Sequence, residues 1–196
     1  MNFFKTCIST ALALVLSIGM TTAQTFTIDT DASSIIWTGS KIIGGGHSGT
    51  VSVASGKLVL IDGELEKGSF AADMTTVAIT DLPDAMANKL SRHLFSDDFF
   101  GVSDHPSSTF EIKSIEKKGE KNYSVIGNLT IKGQTNSITF PANLSWENEL
   151  PVATAKVKVD RTRFGIHYGS DSFFDNLGDK AISDEFELDI KLVGKR

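Results

Sequence analysis

The chain has 196 residues, a net charge of −5, 40% hydrophobic residues and a single cysteine, Cys7. A modest acidic excess argues against nucleic acid and anionic lipid headgroups as partners, because both reward clustered Lys and Arg. One cysteine near the N-terminus excludes an intrachain disulfide, and once that segment is removed no thiol nucleophile or thiolate metal site is left.

Residues 1–23 carry Lys5, an apolar run over 11–20 and small residues ending in Thr21-Thr22-Ala23, the pattern of a secretory signal peptide cleaved near Ala23. The run is too short for a convincing membrane span, and nothing later approaches the ~18 uninterrupted apolar residues that would suggest one. The expectation is a mature domain over residues 24–196, exported to the periplasm or the medium, with no stable membrane insertion.

From Phe26 onward the dominant signal is period-two alternation. Residues 34–41 read as a strand around Trp37, and Gly44-Gly45-Gly46 as a flexible turn. Short strands over 47–53 and 57–61 follow, separated by Ala54-Ser55-Gly56. A longer one over 64–74 puts Phe70, Ala72 and Met74 on one face.

The stretch 81–106 is the only one that reads as a helix. Asp81 is placed for an N-cap with Pro83 in the first turn, and Met86, Leu90, His93 and Leu94 recur on one face. Ser96 can cap a second short turn through Phe99 and Phe100, which Gly101 ends. Two adjacent Phe beside an apolar stripe form a lid or plug.

After the lid, residues 109–115 place Phe110 and Ile112 together, and 123–131 align Tyr123, Val125, Leu129 and Ile131. Residues 137–146 alternate Ile138, Phe140, Ala142, Leu144 and Trp146 with polar neighbours, Pro141 marking a bulge or an edge. Strands over 152–159 and 185–192 complete the set, the last aligning Phe186, Leu188, Ile190 and Leu192. One wet and one dry face recur throughout, which excludes a parallel α/β sheet, since such sheets are buried on both faces. Long strands joined mainly by hairpins predict an all-β, antiparallel up-and-down barrel of about eight strands with a short helical lid. At that strand number the interior is either filled by side chains or holds one small ligand.

Motifs for chemistry are sparse. His47, His93, His105 and His167 are dispersed without metal-ligand spacing, and His93 on the apolar face is expected to donate to a backbone carbonyl. No nucleophile elbow or phosphate-cradling glycine loop is present, so neither an enzyme nor a cofactor site is expected. Arg161 and Arg163 share one face at a strand end. Arg161 could grip a phosphate or carboxylate headgroup, or close the barrel end in an internal Asp–Arg pair, with Asp73 as a candidate partner. Phe173 and Phe174, in a Gly- and Ser-containing loop, either guard a mouth or anchor a long connection.

The run from Lys89 to Phe100, KLSRHLFSDDFF, followed by His105-Pro106, resembles the signature of the YceI-like lipid-binding family. Further matches are Trp37 with Gly39, His47-Ser48-Gly49, Gly68-Ser69-Phe70 with Asp73-Met74, residues 127–133, and Asp160-Arg161 with Phe164-Gly165-Ile166. Phe95, Gly101 and His105 depart from the family pattern, which bears on the rim of the pocket. The resemblance implies a lipocalin-like barrel in an exported protein that holds a polyisoprenoid or fatty acyl derivative non-covalently. His47, in the family's H-x-G, could meet the ligand's polar head, and Arg161 and Phe164 belong to the last motif. The expected site sets the apolar chain along the barrel axis against Trp37, Phe70, Met74, Phe110, Leu129, Phe140 and Trp146, with Leu90, Leu94, Phe99 and Phe100 closing one end. The alternative is an exported structural or stress-related protein-interaction module with a solid core, and a homodimer is left open.

Overall fold

The structure, a computed structural model, describes residues 21–196, so most of the expected signal peptide lies outside the described residues. Eight strands follow in order: β1 (Ala23–Lys41), β2 (Gly46–Ile61), β3 (Glu64–Ile79), β4 (Ser107–Lys117), β5 (Asn122–Ile131), β6 (Gln134–Glu147), β7 (Leu150–Asp160) and β8 (Ile182–Lys195). Each pairs antiparallel with the next, and β1 also pairs with β8, so the sheet closes into the up-and-down barrel that the alternation predicts. Closure gives every strand a paired neighbour on both sides, although the β3–β4 and β6–β7 ladders cover only part of their strands.

Several strands run longer than the alternation indicates, because bulges interrupt it without ending the ladder. In β1 the register shifts between Asp29 and Ser34, where the Asp29 carboxylate accepts the N–H groups of Asp31 and Ala32. The two short strands expected over 47–61 are one strand, β2, with a shift between Val53 and Ser55. Gly56 there is no turn residue. A Cβ on it would come within 2.8 Å of both Ile28 and Phe70, so the bare α-carbon is what lets these side chains pack. β3 continues past Met74 to Ile79 because Asp73 holds the N–H and hydroxyl of Thr75, and Thr76 receives the N–H of Ser52.

The connections alternate between the two ends. Tight turns at Asp62-Gly63 and Asn148-Glu149, each with two positive-φ residues, and the 118–121 turn lie at one end. That end is closed by Phe26, Leu60 and Val152, all 2% exposed or less. The 42–45 turn, the Lys132-Gly133 turn and both long connections, 80–106 and 161–181, lie at the other.

The first long connection carries the one α-helix of the described residues, α1 (Asp84–Phe95). Its N-cap is Pro83, with no side-chain cap. Asp81 is spent elsewhere, accepting the Ser48 N–H at 3.1 Å, which ties the lid to β2. Ala87, Leu90 and Leu94 face the core, whereas Met86, expected on the same stripe, is 59% exposed. The turn after α1 ends at Gly101 (φ 54°) as expected, although the Ser96 hydroxyl donates backward to the His93 carbonyl.

Candidate functional site

A cavity of about 150 Å3 opens inside the half of the barrel beneath α1. Trp37 of β1, Phe70 and Met74 of β3, Leu129 of β5 and Phe140 of β6 form its wall, and Leu94, Phe99 and Phe100 close it from the lid. These eight expected positions therefore meet in one place. Ile35, Val51, Val77, Ile138, Val157, Leu188 and Ile190 join them. Of these, Ile138, Leu188 and Ile190 sit on faces the alternation marked as dry. Val77 follows the bulge after Met74, where the period is lost.

Other expected positions lie elsewhere. Trp146 is 45% exposed and packs edge-on against Phe26, 5.9 Å between ring centres, at the closed end. It shares a face with Phe140 but stands beyond the depth of the cavity. Phe110 is buried in the core next to the cavity rather than lining it, its ring 5.6 Å from Phe70 and 5.3 Å from Phe140. Leu90 packs on the core outside the cavity lining, and Phe164 is 1% exposed behind it. His47 stands half-exposed, 3.4 Å from Asp81 and outside the cavity lining.

Arg161 lines the cavity but is not free for a headgroup. It heads a 3-10 turn (Arg161–Phe164), is 4% exposed, and donates to four carbonyls: Ser183 from Nε, Ile166 and Tyr168 from Nη1, and Ile182 from Nη2. Asp184, 3.5 Å away, balances its charge. The internal ion pair is thus present, with Asp184 in place of Asp73. Burial pulls the guanidinium pKa down, against the pull of Asp184 and Asp160. Burial likewise opposes ionisation of Asp184. Hydroxyl donors, Ser172 among them at 2.6 Å, and the Arg161 charge outweigh it and hold the carboxyl below its usual range. The pair sews the second long connection to the start of β8.

The lid is an aromatic cluster. His93 donates to no carbonyl; its ring lies edge-on between Phe99 (4.8 Å) and Tyr168 (4.5 Å). Phe173 stacks on His167 at 3.9 Å, yet Phe173 and Phe174 are each 52% exposed. At the closed end Glu64 accepts from Tyr123 and Lys117, at 2.5 and 2.6 Å. Those two hydrogen bonds, Lys117 first, lower the Glu64 pKa, while burial and then Glu64 push the Tyr123 hydroxyl up to about 12. Among the described residues no group of three His, Cys, Asp or Glu is arranged to hold a metal ion, and no helix is long and apolar enough to cross a membrane.

A closed eight-stranded barrel with an apolar interior under a helical lid defines a lipocalin-like class. The chain matches the YceI-like domain over residues 26–194 and belongs to that family. It is 28% identical over 200 residues to a UPF0312 protein of Pseudomonas putida (strain W619), with 94% of each chain covered. A UPF0312 protein of Yersinia pestis (strain Pestoides F) is 37% identical over 82 residues, 41% of this chain and 42% of that protein's length. Among solved structures, BcnA of Burkholderia cenocepacia superposes with a TM-score of 0.68 at 20% identity, covering 86% of this chain and 99% of that one. A polyisoprenoid binding domain from Saccharophagus degradans, implicated in plant cell wall breakdown, gives 0.66 at 13% identity, covering 87% and 97%.

Proposed function

We propose that this protein binds a long-chain apolar molecule, a polyisoprenoid or fatty acyl derivative, inside the barrel and acts as its carrier or buffer. The observation that carries the reading is the cavity wall, where strands and lid contribute almost nothing but apolar atoms. Each buried CH2 contributes about 0.8 kcal/mol, which gives a long chain ample gross driving force, reduced by ordering and by opening of the lid. The ligand's polar end is expected to be neutral or to stay outside, because the guanidinium of Arg161 is already committed to carbonyls and Asp184. Export of the mature domain is part of the proposal and rests on the N-terminal sequence pattern; N-terminal sequencing of the protein from its own host checks it.

The experiment for binding is organic extraction of protein purified from its native compartment, followed by mass spectrometry. A long-chain lipid in near-stoichiometric amount is expected. Repeated recovery of lipid-free protein that also fails to take up added prenyl or fatty acyl chains would overturn the reading. It would leave the solid-cored interaction module, which the aromatic block of Phe70, Phe110 and Phe140 across the interior favours.

A further inference from the structure

The barrel wall is not sealed all the way round. β6 pairs with β5 from Gln134 to Asn143, but with β7 only where Ala142–Glu147 faces Leu150–Ala155. β7 meanwhile stays paired with β8 as far as Asp160. From the Ala142–Ala155 pair toward the lid end, residues 134–141 and 156–160 therefore run as two edges that no ladder joins. Pro141 is the first residue past the last pair, where its missing N–H costs no cross-strand bond. The edges are tied again only at the lid end, where the Asn136 side chain donates to the Arg163 carbonyl at 2.7 Å and Arg163 donates to the Ser137 carbonyl at 3.2 Å. A window remains between the fork and the tie.

Phe140 stands in that window. It borders both the interior cavity of about 150 Å3 and an open outer groove that starts at the fork. Pro141, Ala142 and Ala155 line the groove next to it, among polar and charged residues that include Lys118, Asn122, Lys156 and Asp189. The last pair of the ladder before the fork is two alanines, Ala142 and Ala155. Volume supplies the reason for a chain to pass there: a dry cavity of about 150 Å3 takes a molecule the size of benzene, far less than a long acyl or prenyl chain.

We infer that the β6–β7 fork is a lateral portal, and that the outer groove is a second subsite that takes the distal part of an apolar chain whose proximal part fills the cavity. The inference rests on the binding reading proposed above. It adds that ligand length is read outside the barrel, with Phe140 as the residue the chain must pass.

The test uses two fatty acids with a photoreactive diazirine at the terminal carbon, one of eight carbons and one of eighteen, bound to the whole protein, irradiated and mapped by peptide mass spectrometry. The eighteen-carbon probe is expected to label residues 139–143 and 154–156, and the eight-carbon probe the cavity wall around Trp37, Met74 and Leu129. Labelling of the cavity wall and lid alone by both probes would overturn the portal while leaving the binding reading intact. Absence of saturable labelling by either would overturn both. As a second readout, Ala155→Leu narrows the fork and is expected to weaken the eighteen-carbon probe about tenfold without changing the eight-carbon one; equal affinity for the longer probe contradicts the portal.

Discussion

The ring of Phe110 lies across the backbone of Gly127 on the neighbouring strand, so close that a Cβ at Gly127 would come within 2.2 Å of the ring's Cζ and 2.6 Å of the Glu111 carbonyl. The bare strand at Gly127 lets Phe110 reach Phe140, two strands away, and complete the aromatic block behind the cavity. At Gly49 a Cβ would meet the Ala78 carbonyl oxygen at 1.8 Å and Trp37 Cζ2 at 2.7 Å, so the bare strand admits both the neighbouring backbone and the ring. These pairs give the sequence matches at Trp37, Gly49 and Gly127 a physical meaning: each glycine is a seat for a ring that shapes the interior.

Gly127→Ala is therefore expected to destabilise the fold by roughly 1–3 kcal/mol, the usual cost of overpacking a well-filled core. Phe110→Leu in the same chain should recover part of it by withdrawing the ring. Urea unfolding of the two variants checks this; a Gly127→Ala midpoint equal to wild type would mean the ring is not held over the strand.

The two lid phenylalanines separate into different roles. Phe99 is 7% exposed and packs against both His93 and Tyr168, so Phe99→Ala should lower the melting temperature, with a cost of about 3–5 kcal/mol typical of a buried Phe. Phe100 is only partly buried and faces the cavity. Phe100→Ala should leave the melt near normal and speed release of a long-chain ligand, because a looser lid acts on dissociation more than on encounter. A melt and a dissociation assay on each single variant distinguish the two effects.

Arg161 is expected to be structural. Arg161→Leu strands four carbonyls and leaves the partly buried Asp184 without its counter-charge, a loss of up to about 3–5 kcal/mol by analogy with broken buried ion pairs. Arg161→Lys should rescue little, since one ammonium cannot reproduce the planar fork. Because the folded pKa of Asp184 lies below the ordinary 3.8, its contribution is present above that value and is lost as pH falls through the folded pKa. Asp184→Asn should flatten the acid limb of the stability curve, as thermal melts between pH 2 and 6 would show.

At the closed end the sign reverses. Tyr123 titrates near 12 in the folded chain against an ordinary 10, so the folded state keeps a proton that the unfolded state gives up between those values. The contribution is complete below pH 10 and lost as pH rises to about 12. Tyr123→Phe should remove that alkaline loss, on the order of 1–2 kcal/mol once solvent screening of the hydroxyl is allowed for. Urea midpoints at pH 9 and pH 11.5 are the comparison to make.

The alternation in the sequence carries the barrel because period two reports which face of a strand is dry. It does not report depth along the barrel axis. That is why Trp146, on the same face as Phe140, falls at the closed end against Phe26, and why Phe110 packs in the core beside the cavity without lining it. Bulges at Asp29 and Ala54 broke the period and hid the true lengths of β1 and β2. The partner of Arg161 was illegible for another reason: Asp184 is 23 positions away across a long connection, and only the fold brings the two together. The ring-seating glycines and the β6–β7 fork depend on cross-strand register, which one strand's sequence does not carry.

The central claim, that the barrel interior is a site for a long apolar chain, is tested most directly by an electron-density map of the protein purified from its own host without delipidation. Elongated density for at least the proximal part of a chain is expected along Trp37, Met74, Leu129 and Phe140, beneath Leu94 and Phe100. An interior filled by those side chains alone, in protein that also takes up no added long-chain lipid, would contradict it.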